Sequence, residues 1–403
     1  MTSRLFGAAL ILGLLSAIGP FAIDMYLPAL PTIKASLHTD VDTVQMSLMA
    51  FFVSLGIGQL VYGPLSDMVG RKLPIYFGLV VFALGSIGCA LAPDIHTLIA
   101  FRFLQGLGAC AGMVVPRAIV RDMHTGHEAA RLMSLLMLVF SVSPILAPLT
   151  GSLVIRLASW RGIFWTVTGA AVFGLILAST VLKETRPREL RVNSNVRTAI
   201  AAYGTLLKDR HFLGLVSICS FGVASFFAYL ANSSFILIDH YGLSPTLYSV
   251  AFSINAVSFI GAAQFTGKLG QRYGLARLVR TAVVGYAITM LTLLALNIAG
   301  MHQLGVLMAL LFIGYGFLGL VIPSSAVLAL EDHGKIAGTA SAFLGTMQFV
   351  TGACVIAVIG RFLDGTALPM VAGIAACSVV ALVLAQKTLR HKRYAMTEAA
   401  TVD

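Results

Sequence analysis

Charge is the scarcest commodity in this chain. Only 11% of its 403 residues are Asp, Glu, Lys or Arg, while 58% are hydrophobic and the mean hydropathy is +0.92. A soluble protein of this length has no interior large enough for so much apolar surface, so lipid must serve as solvent. The five cysteines (Cys89, Cys110, Cys219, Cys354, Cys377) fall inside apolar runs with no metal-ligand spacing, which makes them small core residues. His124-x-x-His127-Glu128 has the ligand order of neither known zinc helix motif, so no metal is expected. No phosphate-binding lysine loop is present, which excludes ATP as the driving force, and no nucleophile–base pair suggests an enzyme. Gly314-Tyr-Gly316-Phe-Leu-Gly319 has dinucleotide-loop spacing but lies inside an apolar run instead of after a strand. No cofactor is therefore expected.

What the chain does have is a succession of apolar runs long enough to cross a bilayer. Spans are expected at 5–28, 44–66, 73–92, 97–117, 132–154, 162–182, 212–238, 246–266, 278–299, 303–329, 337–360 and 367–386. The first is preceded only by Arg4 and lacks a small-residue cleavage site, so it reads as a retained helix. With the N-terminus inside and the spans alternating, outer loops hold only Lys34, Arg156, Arg161 and Arg361. Arg102 lies within a span, and the other 22 of the 27 Lys and Arg fall inside. The positive-inside rule then puts both termini in the cytoplasm, and the net charge of +11 is a topology signal. Bases scattered through short loops do not make a nucleic-acid surface.

Lys183–Arg210 is the one long polar interruption. It reads as a solvated linker, and its seven Lys and Arg suit anionic headgroups. It divides the chain into a bundle over 1–182, a linker over 183–211, a second bundle over 212–386 and a tail over 387–403. The loops Gly63–Pro74 (GPLSDMVGRKLP) and Gly267–Leu278 (GKLGQRYGLARL) stand at equivalent places in the two halves. In them Gly63/Gly267, Leu65/Leu269 and Gly70/Gly274 coincide. The expected fold is an all-α membrane protein of twelve helices in two pseudo-symmetric six-helix bundles, with a substrate site between repeated halves.

Asp24 and Arg102 are charges inside spans, where each costs about 2.5–3.5 kcal/mol on insertion scales and so is expected to have a task. If the first span exits near Pro28 and the fourth enters near Thr97, Asp24 lies roughly 6 Å and Arg102 roughly 7–8 Å below the outer surface. Equal depth permits an ion pair. Burial and a neighbouring arginine act in opposite senses on a carboxyl's proton, so such a pair can couple proton binding to conformation or to substrate. Pro144, Pro148 and Gly151 interrupt the fifth span, which reads as a bent, closely packed helix.

The loop Gly63-x-Leu65-x-Asp67-x-x-Gly70-Arg71-Lys72 resembles the signature of the major facilitator superfamily, and the resemblance extends over the whole chain. It implies a conformational latch in which the loop acid and arginine engage charges at the end of the fourth helix, here Arg121 and Asp122. Arg102-Phe-Leu-Gln105-Gly106 and Ser143–Ser152 resemble fourth- and fifth-helix motifs of drug:proton antiporters, although Ala147 and Ser152 replace two glycines of the latter. Ala22–Pro31 (AIDMYLPALP) and Lys183-Glu-Thr-x-Pro187 resemble the bicyclomycin- and chloramphenicol-resistance branch. The resemblance implies a monomeric, proton-coupled exporter of amphiphilic drugs in a bacterial inner membrane. Asp24 and Arg102 would be its coupling and substrate residues. Tyr26, Gln105, Tyr229, Asn232 and Gln348 are candidates to line its pocket, with Asn255 and Tyr315 beside them. Export of a metabolite such as cysteine or a nucleoside is the alternative. A channel would need charges at more than one level, and a sensor would need a signalling domain larger than the seventeen-residue tail.

Overall fold

A computed structural model describes the backbone of residues 3–123, 126–191 and 196–399. Side chains are described within these, except at 3–9, 126–131, 134–135, 137–141, 188, 190, 196–197, 335 and 390–399. The side chains of the His124–Glu128 cluster lie outside the described residues.

Every regular element among the described residues is a helix. In chain order these are α1 (Ser3–Asp24), α2 (Leu30–Ser36), α3 (Val41–Val69), α4 (Lys72–Leu91), α5 (Ile95–Met123), α6 (Gly126–Leu157), α7 (Trp160–Thr180), α8 (Arg188–Arg191) and α9 (Val196–Lys208). They continue as α10 (Arg210–Ser234), α11 (Pro245–Gln264), α12 (Thr266–Tyr273), α13 (Leu275–Ile298), α14 (Leu304–Glu331), α15 (Ala337–Gly360) and α16 (Leu368–Ala399). Among the described residues, eleven stretches are long and apolar enough to cross a membrane, and α6 adds the shorter apolar segment Val142–Leu157.

The first span is broken, where a single helix over 5–28 was expected. Pro28 has no N–H to bond the carbonyl four residues back, and α1 stops at Asp24. The Tyr26 N–H turns to Ile23 O at 3.3 Å, a 3₁₀ turn covers Leu27–Ala29, and α2 resumes at Leu30. The span therefore runs to Ser36 with its irregular backbone in the interior, where such backbone is tolerated only if protein covers it.

The chain forms two compact units. One holds residues up to Ala201 together with Leu237–Ser253; the other holds Ala202–Ile236 and Ile254 onward. Within the first, α5 packs against α3, α4 and α1, while α1 also packs on α6 and α7. Within the second, α10 packs on α14, α15 and α16, and α13 lies against α14 and α16. The segment Leu237–Ser253 joins the first unit through specific bonds: Lys34 Nζ to Asp239 Oδ2 at 3.4 Å, Ser249 Oγ to Pro148 O at 2.9 Å, and Ser253 Oγ to Ile145 O at 3.1 Å.

The repeated loop is visible in each unit. Gly70 (φ 100°) ends α3 and Gly274 (φ 81°) ends α12, both in a region that L side chains rarely adopt. Gly63, read in the sequence as part of the turn, instead lies within α3, and a Cβ there would meet nothing within 4 Å.

Candidate functional site

The break in the first span creates a need that Arg102 meets. Because the Tyr26 N–H bonds Ile23 O, the Ala22 carbonyl is left without its helical donor. Arg102 Nη1 donates to it at 3.3 Å and to Gln105 Oε1 at 2.6 Å. Gln105 passes the chain on through Nε2 to Ser86 Oγ at 2.7 Å, which donates to Phe82 O. The guanidinium lies 4.4 Å from the Tyr26 ring centroid and 4.3 Å from that of Phe51. Ser47 Oγ gives its proton to Val44 O, so the Tyr26 hydroxyl donates to Ser47 at 2.8 Å. Gly85 and Gly106 permit this closeness: a Cβ on the first would strike the Gln105 backbone, and one on the second Ser54 and the Phe51 carbonyl.

Asp24 and Arg102 do not form the ion pair that their common depth permits. Asp24, 5% exposed at the end of α1, has no hydrogen bond or ion pair among the described residues. Arg102 is fully buried, and its Nε and Nη2 have no hydrogen-bond partner among the described residues. The reason is geometric: the helix break offers the guanidinium a carbonyl and two aromatic faces, and Gln105 lies one turn away. An ionisable carboxyl and a guanidinium thus sit in the interior of one unit with bonding capacity unspent among the described residues, a costly condition that a structural ion pair would avoid.

The loop after α3 forms a second cluster. Arg71 closes it, bonding Asp122 through Nε (2.6 Å) and Nη2 (3.2 Å), Ser66 Oγ through Nη1 (2.7 Å) and Asp67 Oδ1 at 2.9 Å. The expected partner Asp122 is present; Arg121 is exposed and makes no hydrogen bond or ion pair among the described residues. The sequence missed the contribution of the segment after α7. Glu184 accepts the Arg71 N–H at 2.9 Å and the Lys72 N–H at 3.2 Å, and Arg191 Nη2 lies 3.6 Å from it. Arg186 donates to the Asp67 carbonyl at 2.9 Å, and Thr185 Oγ1 to Asp122 at 3.4 Å. Burial pushes the Glu184 carboxyl upward, but the backbone N–H groups of Arg71, Arg186 and Lys72, with Arg191, outweigh it and hold its pKa below the ordinary 4.5. The start of the supposed solvated linker is therefore docked onto the loop, and Lys183-Glu-Thr-x-Pro187 was the signal that could have shown it.

Residues 12–357 match the Major Facilitator Superfamily. The chain belongs to that superfamily. It is 40% identical over 365 residues, 90% of each chain, to the uncharacterized MFS-type transporter YdgK of Bacillus subtilis (strain 168). It is 29% identical over 376 residues to the bicyclomycin resistance protein homolog of Haemophilus influenzae, covering 93% of this chain and 94% of that one. Among solved structures, a D-xylose-proton symporter superposes with a TM-score of 0.75 at 16% identity, over 96% of this chain and 98% of that one, a likeness of fold.

In this superfamily member, the fifth-span motif meets the helix break directly. A Cβ on Gly151 would run into the Met25 carbonyl oxygen, so only glycine lets α6 lie against the interrupted backbone. Pro148 cannot donate within α6, and its carbonyl is taken by Ser249; Pro144 lies one turn earlier and is half-buried.

In the second unit the candidates scatter. Tyr229, Asn255 and Tyr315 come together: Asn255 Nδ2 donates to Tyr229 Oη at 3.0 Å, and the Tyr229 and Tyr315 rings stand 5.4 Å apart. Asn255 Oδ1 and Tyr315 Oη are buried without a hydrogen-bond partner among the described residues. Asn232 bonds back to Ala228 O of its own helix at 2.8 Å, and Gln348 Nε2 contacts Cys219 Sγ at 3.1 Å. The glycines of the 314–319 run serve helix packing, Gly314 against Met290 and Gly319 against the Phe259 carbonyl.

Proposed function

We propose that this superfamily member is a proton-coupled exporter of small hydrophobic or amphiphilic compounds, with amphenicol- and bicyclomycin-like drugs as the first candidates. The observation that carries the reading is the state of its two buried charges. Among the described residues, Asp24 has no ionic partner and Arg102 holds two guanidinium nitrogens without a hydrogen bond. A carboxyl so placed can take up and release a proton, and the Nε–Nη2 edge of Arg102 can receive an acceptor group of the substrate. Coupling follows when occupancy of one alters the other. Tyr26 and Gln105 position the guanidinium; within the second unit Tyr229, Asn255 and Tyr315 form a buried group whose acceptor and hydroxyl are unbonded among the described residues, chemistry suited to an amphiphile. The name of the Haemophilus relative supports bicyclomycin as a test compound.

The protein works without a cofactor, drawing on the proton gradient. We read it as a monomer of the bacterial inner membrane; the distribution of its basic residues supports both termini lying in the cytoplasm. The cluster around Arg71 acts as a latch that holds one conformation of the transport cycle.

Inside-out vesicles with an acid lumen test this. Addition of a substrate from a panel of amphenicols, bicyclomycin, cationic dyes, cysteine and nucleosides should alkalinise the lumen, and Asp24→Asn should abolish the response while the protein still folds. An undiminished response in Asp24→Asn would overturn the assignment.

A further inference from the structure

Helix α13 begins directly after the turn at Gly274. In its first two turns Arg277 and Arg280 line a groove of about 670 Å³, which Gln386 and Leu389 of α16 bound on the other side. Deeper along the same groove come Val284 and Ile288, the latter 61% exposed. At ~1.5 Å per residue the two arginines lie roughly 3 and 8 Å from the start of the helix and Ile288 roughly 20 Å from it. A basic level is thus stacked above an apolar one, with the spacing of a headgroup over an acyl chain.

The arginines have spare capacity. Neither makes an ion pair among the described residues, and Arg280 has only a 3.5 Å bond from Nη2 to Gln386 Oε1. Among the described residues, no acidic one lines the groove. Guanidinium groups match phosphate oxygens in fork geometry. A zwitterionic lipid would bring an ammonium group for which no described lining residue offers a carboxylate. Free phosphate would satisfy the arginines and leave Ile288 uncovered. We propose that the groove between α13 and α16 is a binding site for an anionic phospholipid, with its phosphate on Arg277 and Arg280 and an acyl chain along Val284 and Ile288.

Native mass spectrometry of the full-length protein from micelles holding equal phosphatidylglycerol and phosphatidylethanolamine tests this, together with thermal melting in either lipid or in inorganic phosphate. The wild type should retain phosphatidylglycerol preferentially and be stabilised by it, with no effect of phosphate. The preference should fall by roughly tenfold or more in R277Q/R280Q and persist in K268Q/R272Q, which removes two nearby charges that do not line the groove. Equal retention of both lipids, equal loss in both double variants, or stabilisation by phosphate alone would overturn the proposal. If R277Q/R280Q does not fold, the wild-type comparison among the two lipids and phosphate decides it.

Discussion

Arg102 carries more of the structure than its count of bonds suggests. It satisfies a carbonyl freed by the break after Asp24, anchors the Gln105–Ser86 chain and stacks against Tyr26 and Phe51. Hydrogen bonds from a charged group contribute about 1.5–3 kcal/mol each, and desolvated cation–π contacts up to about 2. Arg102→Ala should therefore lower stability by about 3 kcal/mol or more in detergent melts and abolish transport. Arg102→Lys should fold better than the alanine variant yet transport poorly, because a point-like ammonium cannot both reach Ala22 O and stack on two rings. Lysine transporting at wild-type rate would contradict the role given to the fork. Glu184 makes a second residue-scale prediction. Its pKa is depressed in the folded protein, so the stability it contributes is full above the ordinary 4.5 and lost as pH falls through the lowered value. Melting temperature should drop below about pH 4.5 in the wild type, and Glu184→Gln should start lower at neutral pH and remove that part of the acid sensitivity.

At the scale of elements, the two glycines of the repeated loop should behave oppositely. Gly70 adopts φ 100° and its missing Cβ leaves room for the side chains of Glu184 and Arg191. Gly70→Ala should cost about 1–3 kcal/mol and loosen the cluster around Arg71. Gly63→Ala should leave melting within about 0.5 kcal/mol of wild type, since a Cβ there meets nothing within 4 Å and alanine favours a helix. Equal effects of the two would show that the turn is not where the structure puts it. Span positions were legible from hydropathy alone because a bilayer demands about 20 apolar residues whatever the neighbours. The eleventh was found at its observed bounds, Ala337–Gly360. The break in the first span was less legible: Pro28 announces a lost bond, but whether the chain kinks or ends there depends on what covers it. Gly151 and Arg102, distant in sequence, supply that cover.

At the scale of the whole molecule, the repeat, the superfamily match and the distribution of charge agree. Asp24, Arg102 and the loop motif were readable because membrane charge and short motifs are local properties of sequence. Which groups they bond was not, because partners are chosen by tertiary packing. Arg102 takes Gln105 and a carbonyl instead of Asp24, Arg71 takes Asp122 and leaves Arg121 exposed, and Glu184 leaves the linker to cap α4. The proposed proton coupling rests on Asp24, which makes no hydrogen bond or ion pair among the described residues, and it can be examined without a membrane. Purified protein in weakly buffered detergent would be mixed with a compound active in the vesicle panel while pH is followed. The account predicts proton release on binding in the wild type and none in Asp24→Asn that still binds the compound. The same release from both proteins would place the coupling proton on another group and contradict it.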